Sequence, residues 1–328
     1  MAVRATARAR SAYGRGVATA PPPVPEDGFR HEAMLYAGDA GFADRATPFL
    51  REGVERREPV LVVVSADRIA LLRDSLGADA AGVTFADMGE VGANPARIIP
   101  AWRAFVAARP EGVGARGIGE PIWAARTADE LVECQRHEAL LNLAFAGVAS
   151  FTLVCPYDTA ALPPAVVAEA LRTHPIVHGD GPSATYDAAP REHELSPVPR
   201  SANVLGYGGG PLDVVHRFVV ARATAIGLPG DRAADLAVAV HELATNSLRH
   251  AGGHGTIALW REGDVLLCQV SDDGVIGDPL AGRTTPATDQ EGGRGLWIVN
   301  QICDLVMVRS TPGAGTVVRV RMALDGTP

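Results

Sequence analysis

The ten residues HELATNSLRH, at positions 241–250, decide how the second half of the chain folds. Glu242, Asn246 and His250 recur at intervals of four, so on a helix they form one polar face and rise by about 6 Å per step. The amide oxygen of Asn246 can ligate Mg²⁺, and the carboxylate of Glu242 can orient or deprotonate a nucleophile. Taken alone, the same pattern also fits an ordinary solvated helix face.

Two short segments downstream can contact a purine base. Asp272, followed by Asp273 and Gly274, ends a predicted strand, where its carboxylate can accept a hydrogen bond from an adenine amino group. The glycine lets a base approach the backbone, although this triplet is also common in ordinary turns. Thr316 starts the last predicted strand, where its hydroxyl can contact the purine directly or through water. A simple turn is the alternative interpretation.

A glycine-rich segment precedes an apolar helix and predicts a phosphate site. Gly293, Arg294 and Gly295 lead into a helix that begins near Leu296. Backbone N–H groups at glycines and at a helix N-terminus bind phosphate, and a plain flexible loop is the alternative.

The chain contains no lysine, and this absence excludes two kinds of nucleotide site. A P-loop needs a lysine that reaches the β- and γ-phosphates. A protein-kinase site needs a lysine on a strand beside the nucleotide. Any triphosphate bound here must therefore be held in another way.

Composition predicts a globular protein of two domains. The chain has 328 residues, of which 47% are hydrophobic and 21% charged, and a single hydrophobic core rarely extends beyond about 250 residues. A net charge of −8 argues against a nucleic-acid partner. No window of about 18 apolar residues predicts a membrane span. We expect residues 1–28, with several arginines and a proline run, to form a disordered tail.

The four cysteines are scattered and form no C-x-x-C pair. Each lies among apolar neighbours, so we expect four small buried side chains in a protein of the reducing cytoplasm. Their spacing does not predict a structural zinc site. The cysteines are Cys134, Cys155, Cys268 and Cys303.

Residues 29–178 alternate between strand-like and helix-like segments. Pro59–Ser65 and Phe151–Cys155 are short apolar runs typical of strands buried on both faces, and Thr127 is placed to cap a helix that runs to Phe145. This alternation predicts an α/β domain with a mostly parallel sheet flanked by helices. The following segment, 179–210, is rich in Gly, Pro and Ser and is predicted to be a linker.

Residues 211–324 predict a second domain in which helices and strands are segregated. Two helices are expected over Val214–Ile226 and from Asp231, as the capping residue, to Ala251. A strand pair, the glycine-rich loop, a short helix and a closing hairpin follow. The expected fold is an α+β sandwich with one helical layer on one sheet.

The order E-x-x-x-N, D-x-G, G-x-G-L and G-T resembles the N, G1, G2 and G3 boxes of the GHKL (histidine-kinase-like, Bergerat-fold) ATPases. The resemblance implies bound ATP and Mg²⁺. It also implies that Asn246 is the Mg²⁺ ligand, Glu242 the general base and Asp272 the adenine-binding aspartate. Gly293 and Gly295 correspond to the glycines of the phosphate loop.

One position departs from the family pattern. The family often shows Asp-x-Gly-x-Gly, whereas Ile276 occupies the second glycine position here and Gly277 follows it. The geometry of the lid over the nucleotide is therefore left open. The complete set predicted to bind ATP is Asn246, His250, Asp272, Gly274, Gly277, Gly293, Arg294, Gly295, Leu296 and Thr316.

Within this superfamily the second domain most resembles the anti-sigma-factor serine/threonine kinases. The resemblance implies phosphorylation of an anti-anti-sigma (STAS-type) partner, binding of a sigma factor, a role in transcription regulation and a homodimer. A two-component kinase would need a phosphoacceptor histidine on a dimerising helical hairpin, and His137-Glu138 lies on a single helix. The alternative is a non-catalytic ATP-binding module that sequesters a sigma factor or another regulatory protein.

The first domain resembles the MEDS sensory domain over residues 29–178. The segments that carry the resemblance are Phe29–Tyr36, Gly119–Trp123, Arg136–Glu138 and Leu153–Asp158. The resemblance implies a small organic ligand, and open α/β sheets bind ligands at the carboxyl ends of their strands. A metal site is not supported by spacing, and each residue is equally compatible with a core or surface position. The predicted sensory residues are His31, Glu120, Trp123, His137, Glu138, Cys155 and Tyr157.

Overall fold

The computed structural model describes residues 28–191, 193–286 and 293–325. Two sheets organise these residues, one of seven strands in the first half of the chain and one of five strands in the second. All of the predicted tail except Gly28 lies outside the described ranges. Within those ranges, no helix combines the length and apolar character needed to cross a membrane.

The first domain alternates strands and helices, as predicted. Its strands are β1 (Phe29–Tyr36), β2 (Val60–Val64), β3 (Thr84–Asp87), β4 (Ala115–Gly119), β5 (Phe151–Asp158), β6 (Ile176–Val177) and β7 (Gly181–Pro182). Its α-helices are α1 (Gly38–Glu55), α2 (Ala66–Leu76), α3 (Met88–Val91), α4 (Ile98–Ala107), α5 (Ala128–Ala144) and α6 (Pro164–Thr173).

The sheet of the first domain is mostly parallel, which confirms the predicted fold class. Its strand order is β3-β2-β4-β5-β1-β6-β7, and only the β6–β7 pair is antiparallel. Helices α1 and α2 cover one face, while α4, α5 and α6 cover the other. Cover on both faces explains why every residue of β2 is apolar and buried.

Helix α5 begins where the sequence predicts. The Thr127 hydroxyl accepts a hydrogen bond from the Glu130 N–H, and the Glu130 carboxylate accepts one from the Thr127 N–H. This reciprocal arrangement satisfies two backbone donors at the helix start. The helix then extends to Ala144 and contributes residues to both the core and the domain interface.

The second domain consists of an antiparallel sheet with helices on one face, as predicted. Its strands are β8 (Asn203–Gly208), β9 (His254–Glu262), β10 (Val265–Asp272), β11 (Leu305–Thr311) and β12 (Gly315–Ala323), in the order β11-β12-β10-β9-β8. Its helices are α7 (Asp213–Ile226), α8 (Gly230–His250) and α9 (Gly295–Ile302).

Two local predictions for this domain are wrong. Strand β8 lies inside the predicted linker 179–210 and pairs with β9, because its alternating half-buried residues pack on one face of the sheet. Asp231 does not cap α8, since the helix begins at Gly230 after Pro229. The carboxylate of Asp231 instead accepts a hydrogen bond from the N–H of Arg232, inside the first turn.

The two domains meet at the carboxyl end of α9. The Arg97 guanidinium donates to the carbonyls of Asn300 (2.8 Å), Gln301 (2.8 Å) and Cys303 (3.0 Å), and the Asn94 amide also donates to the Asn300 carbonyl (3.1 Å). The last carbonyls of a helix lack partners within it and carry partial negative charge. The first domain therefore caps this helix.

Candidate functional site

Helix α8 presents its polar stripe to a cavity of about 470 Å³. Leu243 and Ala244 point into the core of the second domain, so Glu242 and Asn246 lie at the border between core and solvent. Asn246 and His250 line the cavity. The volume lies within the range of sites that bind small molecules and cofactors.

The carboxylate of Asp272 is fixed at the floor of this cavity. One of its oxygens, Oδ1, accepts a hydrogen bond from the Gly274 N–H (2.8 Å), and Oδ2 accepts one from the Ser247 hydroxyl (2.5 Å). Tyr207 in turn donates to the Ser247 oxygen (2.9 Å). A carboxylate held in this way keeps lone pairs for an exocyclic amino group, which is the contact that distinguishes adenine.

The threonine at the start of β12 ties the segment after β10 to the sheet. The Thr316 hydroxyl donates to the Gly274 carbonyl (2.8 Å) and lies 2.7 Å from the Ser310 hydroxyl. The Ile276 N–H donates to the same Ser310 oxygen (2.8 Å). At this position, where the family often has glycine, the Ile276 side chain packs against the core of the second domain.

The start of α9 lies directly against the polar stripe of α8. A Cβ atom at Gly295 would lie 2.9 Å from Glu242 Oε2 and 3.1 Å from Asn246 Nδ2, so only glycine fits there without displacing them. Gly293 has a φ of 74°, which favours glycine. The N-terminus of α9 therefore faces the residues expected to handle Mg²⁺ and the nucleophile.

The structure brings most of the predicted ATP-binding residues together. Gly277 and Arg294 are exposed and are not on the cavity wall, and Glu242 lies behind Gly295. The predicted residues that line the cavity are Asn246, His250, Asp272, Gly274, Gly293, Gly295, Leu296 and Thr316.

The sensory domain also contacts the lid segment, which we define as residues 274–286. Arg283 in this segment is 7% exposed, donates to the Pro95 carbonyl (3.4 Å) and lies 3.7 Å from Glu133 Oε2 on α5. Burial lowers the pKa of Arg283 to about 10, and the charge of Glu133 opposes that shift. The neighbours of Arg283, Gly282 and Thr284, line the cavity.

Glu133 pairs with a second arginine of the ATPase domain. Its Oε1 lies 2.8 Å from Arg309 Nη1, and the Glu133 residue is 1% exposed. Removing one member of a buried ion pair leaves an uncompensated charge and costs about 3–5 kcal/mol. This three-residue contact could not be predicted from the sequence, because Glu133 lies 150 or more positions from both arginines and the three residues lie in no local motif.

A second cavity of about 470 Å³ lies at the carboxyl ends of strands β1 to β5, and we call it the strand-end pocket. Glu120 and Trp123 line it, as predicted for the sensory site. Tyr36 donates to Glu120 Oε1 (2.6 Å), and Arg68 donates to the Tyr36 oxygen (3.1 Å). Burial raises the pKa of Glu120 to about 7, although the Tyr36 hydrogen bond and Arg68 act in the opposite direction.

The other five predicted sensory residues do not reach this pocket, so the predicted convergence of all seven is wrong. His31 and Cys155 lie within β1 and β5, not at their ends, and face α5. Tyr157 and Glu138 are buried on the same side of the sheet. Burial also lowers the pKa of His31 to about 4. His137 is also buried, and its Nδ1 has no hydrogen-bond partner among the described residues.

An antiparallel sheet covered on one face by three helices, with the half-buried Asp272 near a helix that begins at a glycine, is the architecture expected of a nucleotide-binding ATPase domain. Residues 212–322 match the family model described as Histidine kinase-like ATPase domain. Residues 30–175 match the one described as MEDS: MEthanogen/methylotroph, DcmR Sensory domain. No curated protein matches the chain. The chain therefore carries a MEDS sensory domain followed by a histidine-kinase-like ATPase domain, an arrangement typical of a signalling regulator.

Tyr207 and Ser247 also belong to this site, although they were not predicted from the sequence. Ser247 follows Asn246 directly and lies one helical turn after Leu243, so its position on the core side of α8 could be read from periodicity. No sequence pattern marked Tyr207 as a site residue, because it lies in the segment predicted to be a linker.

We predict that Ser247→Ala weakens ATP binding. The change removes the donor that orients Asp272, and a hydrogen bond to a charged group contributes about 1.5–3 kcal/mol, or roughly 10- to 100-fold in affinity. Displacement of a fluorescent ATP analogue measures the effect. Thr245→Ala, on the same helix, is the matched control, and equal affinities for the two variants would contradict the role of Ser247.

We predict that Glu120→Gln removes a pH dependence of stability. The pKa of Glu120 is about 7 in the folded chain and 4.5 ordinarily, so the free energy of unfolding falls as pH rises between these values. Glutamine keeps the acceptor for Tyr36, and we expect the variant to be about 3 kcal/mol more stable near pH 8. Urea denaturation across pH tests this, with exposed Glu90→Gln as the control; an unchanged pH profile would reject the assignment.

Proposed function

We propose that the ATPase domain is a Mg²⁺-dependent serine/threonine kinase, that its substrate is an anti-anti-sigma (STAS-type) protein, and that the sensory domain controls it. The chain would then act as an anti-sigma factor in transcription regulation. The observation that supports this proposal most strongly is the approach of Gly295 to Glu242 and Asn246. The carboxamide of Asn246 and the N-terminus of α9 lie at one end of the proposed ATP cavity, and the Glu242 carboxylate lies directly behind Gly295.

The proposed division of labour follows from these positions. Asp272 binds the adenine amino group, and the N–H groups at the start of α9 bind phosphate oxygens. Asn246 offers an oxygen ligand for Mg²⁺, and the metal ion would neutralise charge on the triphosphate. Glu242 accepts the proton of a serine or threonine hydroxyl from the partner and orients its oxygen towards the γ-phosphate. Positioning supplies most of the rate enhancement.

Control by the sensory domain is supported by its contacts with two elements of the proposed nucleotide site. Arg97 and Asn94 cap the end of α9 that lies opposite the phosphate-binding end. Glu133 pairs with Arg283 inside the lid segment. A movement of α4 or α5 on ligand binding would therefore change the position of both the helix and the lid, and such couplings amount to about 1–3 kcal/mol.

A second candidate function is a non-catalytic module that binds ATP to order its lid and sequesters a sigma factor. One observation favours it: Glu242 lies behind Gly295 and not on the cavity wall. In this alternative Glu242 fixes the start of α9 and transfers no proton.

We predict that Glu242→Gln abolishes phosphoryl transfer and leaves ATP binding nearly intact. Glutamine keeps the contact with Gly295 but cannot accept a proton, and losing a general base costs about 10²- to 10⁴-fold in rate. Asn246→Ala should impair both ATP binding and transfer, since it removes the proposed metal ligand. Transfer of labelled phosphate from ATP to candidate STAS-type proteins measures the effect.

His241→Ala, an exposed neighbour on the same helix, serves as the control and should retain full transfer. Undiminished transfer by Glu242→Gln would refute the assignment of the base. ATP binding without phosphorylation of any partner, combined with tight binding of a sigma factor, would favour the non-catalytic module.

We predict that Glu133→Gln weakens ATP binding through the lid. The change leaves the buried Arg283 and the half-buried Arg309 without their counter-charge, and we expect the dissociation constant for ATP to rise roughly 10-fold, about 1.4 kcal/mol. Glu130→Gln is the matched control, because Glu130 pairs with Arg321 across the same interface at a more exposed position and glutamine preserves the capping box. Equal ATP affinity in the two variants would show that the lid contact is not coupled to the site.

A further inference from the structure

Four side chains from four different segments meet in the core of the sensory domain, and we call them the His–Glu–Cys cluster. Each of the four is at most 1% exposed, and one ligand atom from each lies within 4.8 Å of all the others. The members are His31 on β1, Glu138 on α5, Cys155 on β5 and His174 directly after α6.

The Nδ1 nitrogen of His31 points away from the centre of the cluster and donates a hydrogen bond to Asn142. This nitrogen lies 3.1 Å from Asn142 Oδ1. The amide nitrogen of Asn142 is engaged with the carbonyls of Thr173 (2.8 Å) and Ala139 (3.5 Å), which fixes the orientation of that amide and leaves its oxygen facing the imidazole. In the neutral ring the proton is therefore on Nδ1, and the lone pair of Nε2 points into the cluster.

The same holds for His174. Its Nδ1 lies 2.8 Å from the Ala170 carbonyl, which can only accept a hydrogen bond. The Nε2 lone pair of His174 therefore also points inward, and this nitrogen has no hydrogen-bond partner among the described residues. Imidazoles that bind a metal characteristically donate their second N–H to a carbonyl or carboxyl-type oxygen in this way.

The centre of the cluster is rich in acceptors and poor in protons. Two Nε2 lone pairs and the Glu138 carboxylate face each other, and the Cys155 thiol and the Tyr157 hydroxyl beside that carboxylate supply one hydrogen each. Within the described residues, Glu138 Oε1 has no hydrogen-bond partner, and the groups within ion-pair distance of its carboxylate are the two imidazoles. Buried acceptors without donors are costly, and a cation at their centre would satisfy all of them.

The spacing of these atoms fits a small ion. His31 Nε2 lies 3.1 Å from Glu138 Oε2 and 3.4 Å from Cys155 Sγ, and His174 Nε2 lies 3.4 Å from the same carboxylate oxygen. A tetrahedral Zn²⁺ with bonds of about 2.0–2.3 Å separates its ligand atoms by about 3.3–3.7 Å. Side chains this close leave room for an ion and not for an organic molecule.

We propose that His31, Glu138, Cys155 and His174 form a closed binding site for a divalent transition-metal ion of the zinc type. Two imidazoles, one carboxylate and one thiolate are a donor set suited to Zn²⁺. On binding, the Cys155 thiol loses its proton to solvent and the thiolate bonds to the ion. The ion would join β1 and β5 to α5, the helix that carries Glu133 to the lid segment.

The test uses the full-length chain, stripped with a chelator and titrated with Zn²⁺ or Co²⁺. We expect uptake of one ion per chain, an increase in the unfolding temperature, and for Co²⁺ the thiolate charge-transfer band and the intense visible bands of a tetrahedral complex. Cys155→Ser should lose the charge-transfer band, and His174→Gln should weaken Zn²⁺ binding by at least roughly 10-fold.

Cys134→Ser is the matched control, since Cys134 is a buried thiol on α5 whose hydrogen bond goes to the Pro121 carbonyl, outside the cluster. This variant should keep the charge-transfer band. The proposal is overturned if the stripped wild-type chain takes up neither ion, or if Cys155→Ser retains the band. Circular dichroism reports whether each variant is folded, and the spectrum of the wild-type chain decides the question even if a variant is not.

Discussion

The close contact between the start of α9 and the polar stripe of α8 is the constraint on which the nucleotide site depends. The chain has no lysine, so no ammonium group can hold a triphosphate. Backbone N–H groups at the start of α9 are available instead, and they reach the site because Gly295 lets the helix approach Glu242 and Asn246 without a side chain between them. The position of α9 therefore sets the geometry of the phosphate end of the site.

Each of the two domains holds one end of α9. Its N-terminus lies against α8 of the ATPase domain, while its last carbonyls are capped by Arg97 and Asn94 of the sensory domain. The lid segment is held in the same manner, since Arg283 reaches across to Glu133. The sensory domain thus contacts both α9 and the lid segment, and the strand-end pocket lies within the same domain.

Much of this organisation could be predicted from the sequence. The helix at 241–250, the glycines around 293–295 and the segregated strands were informative because local periodicity and glycine placement reflect local geometry. The apolar run in β2 and the capping box at Thr127 were equally direct. Strand β8 was missed because its short, glycine-containing sequence resembles a linker, and only its pairing with β9 makes it a strand.

The sensory residues show where local patterns carry less information. Seven candidate residues were predicted to converge on one site, whereas the structure places two of them in the strand-end pocket and three in the His–Glu–Cys cluster, and leaves His137 and Tyr157 in neither. The division depends on how far along each strand a residue lies and on the direction of its side chain in the pleat, which the register of β1 against β5 determines. His174 could not be predicted to join the cluster, since it reaches it only through the packing of α6 on the sheet.

Isothermal titration calorimetry of the purified full-length chain with ATP, in the presence and absence of Mg²⁺, tests the central claim most directly. A site built from Asp272, Asn246 and the start of α9 predicts saturable uptake of one ATP per chain, and Mg²⁺ should strengthen it. Uptake of GTP should be much weaker, because guanine has a carbonyl oxygen in place of the 6-amino group that Asp272 would bind. An absence of heat with ATP and Mg²⁺, or equal affinity for the two nucleotides, would contradict it.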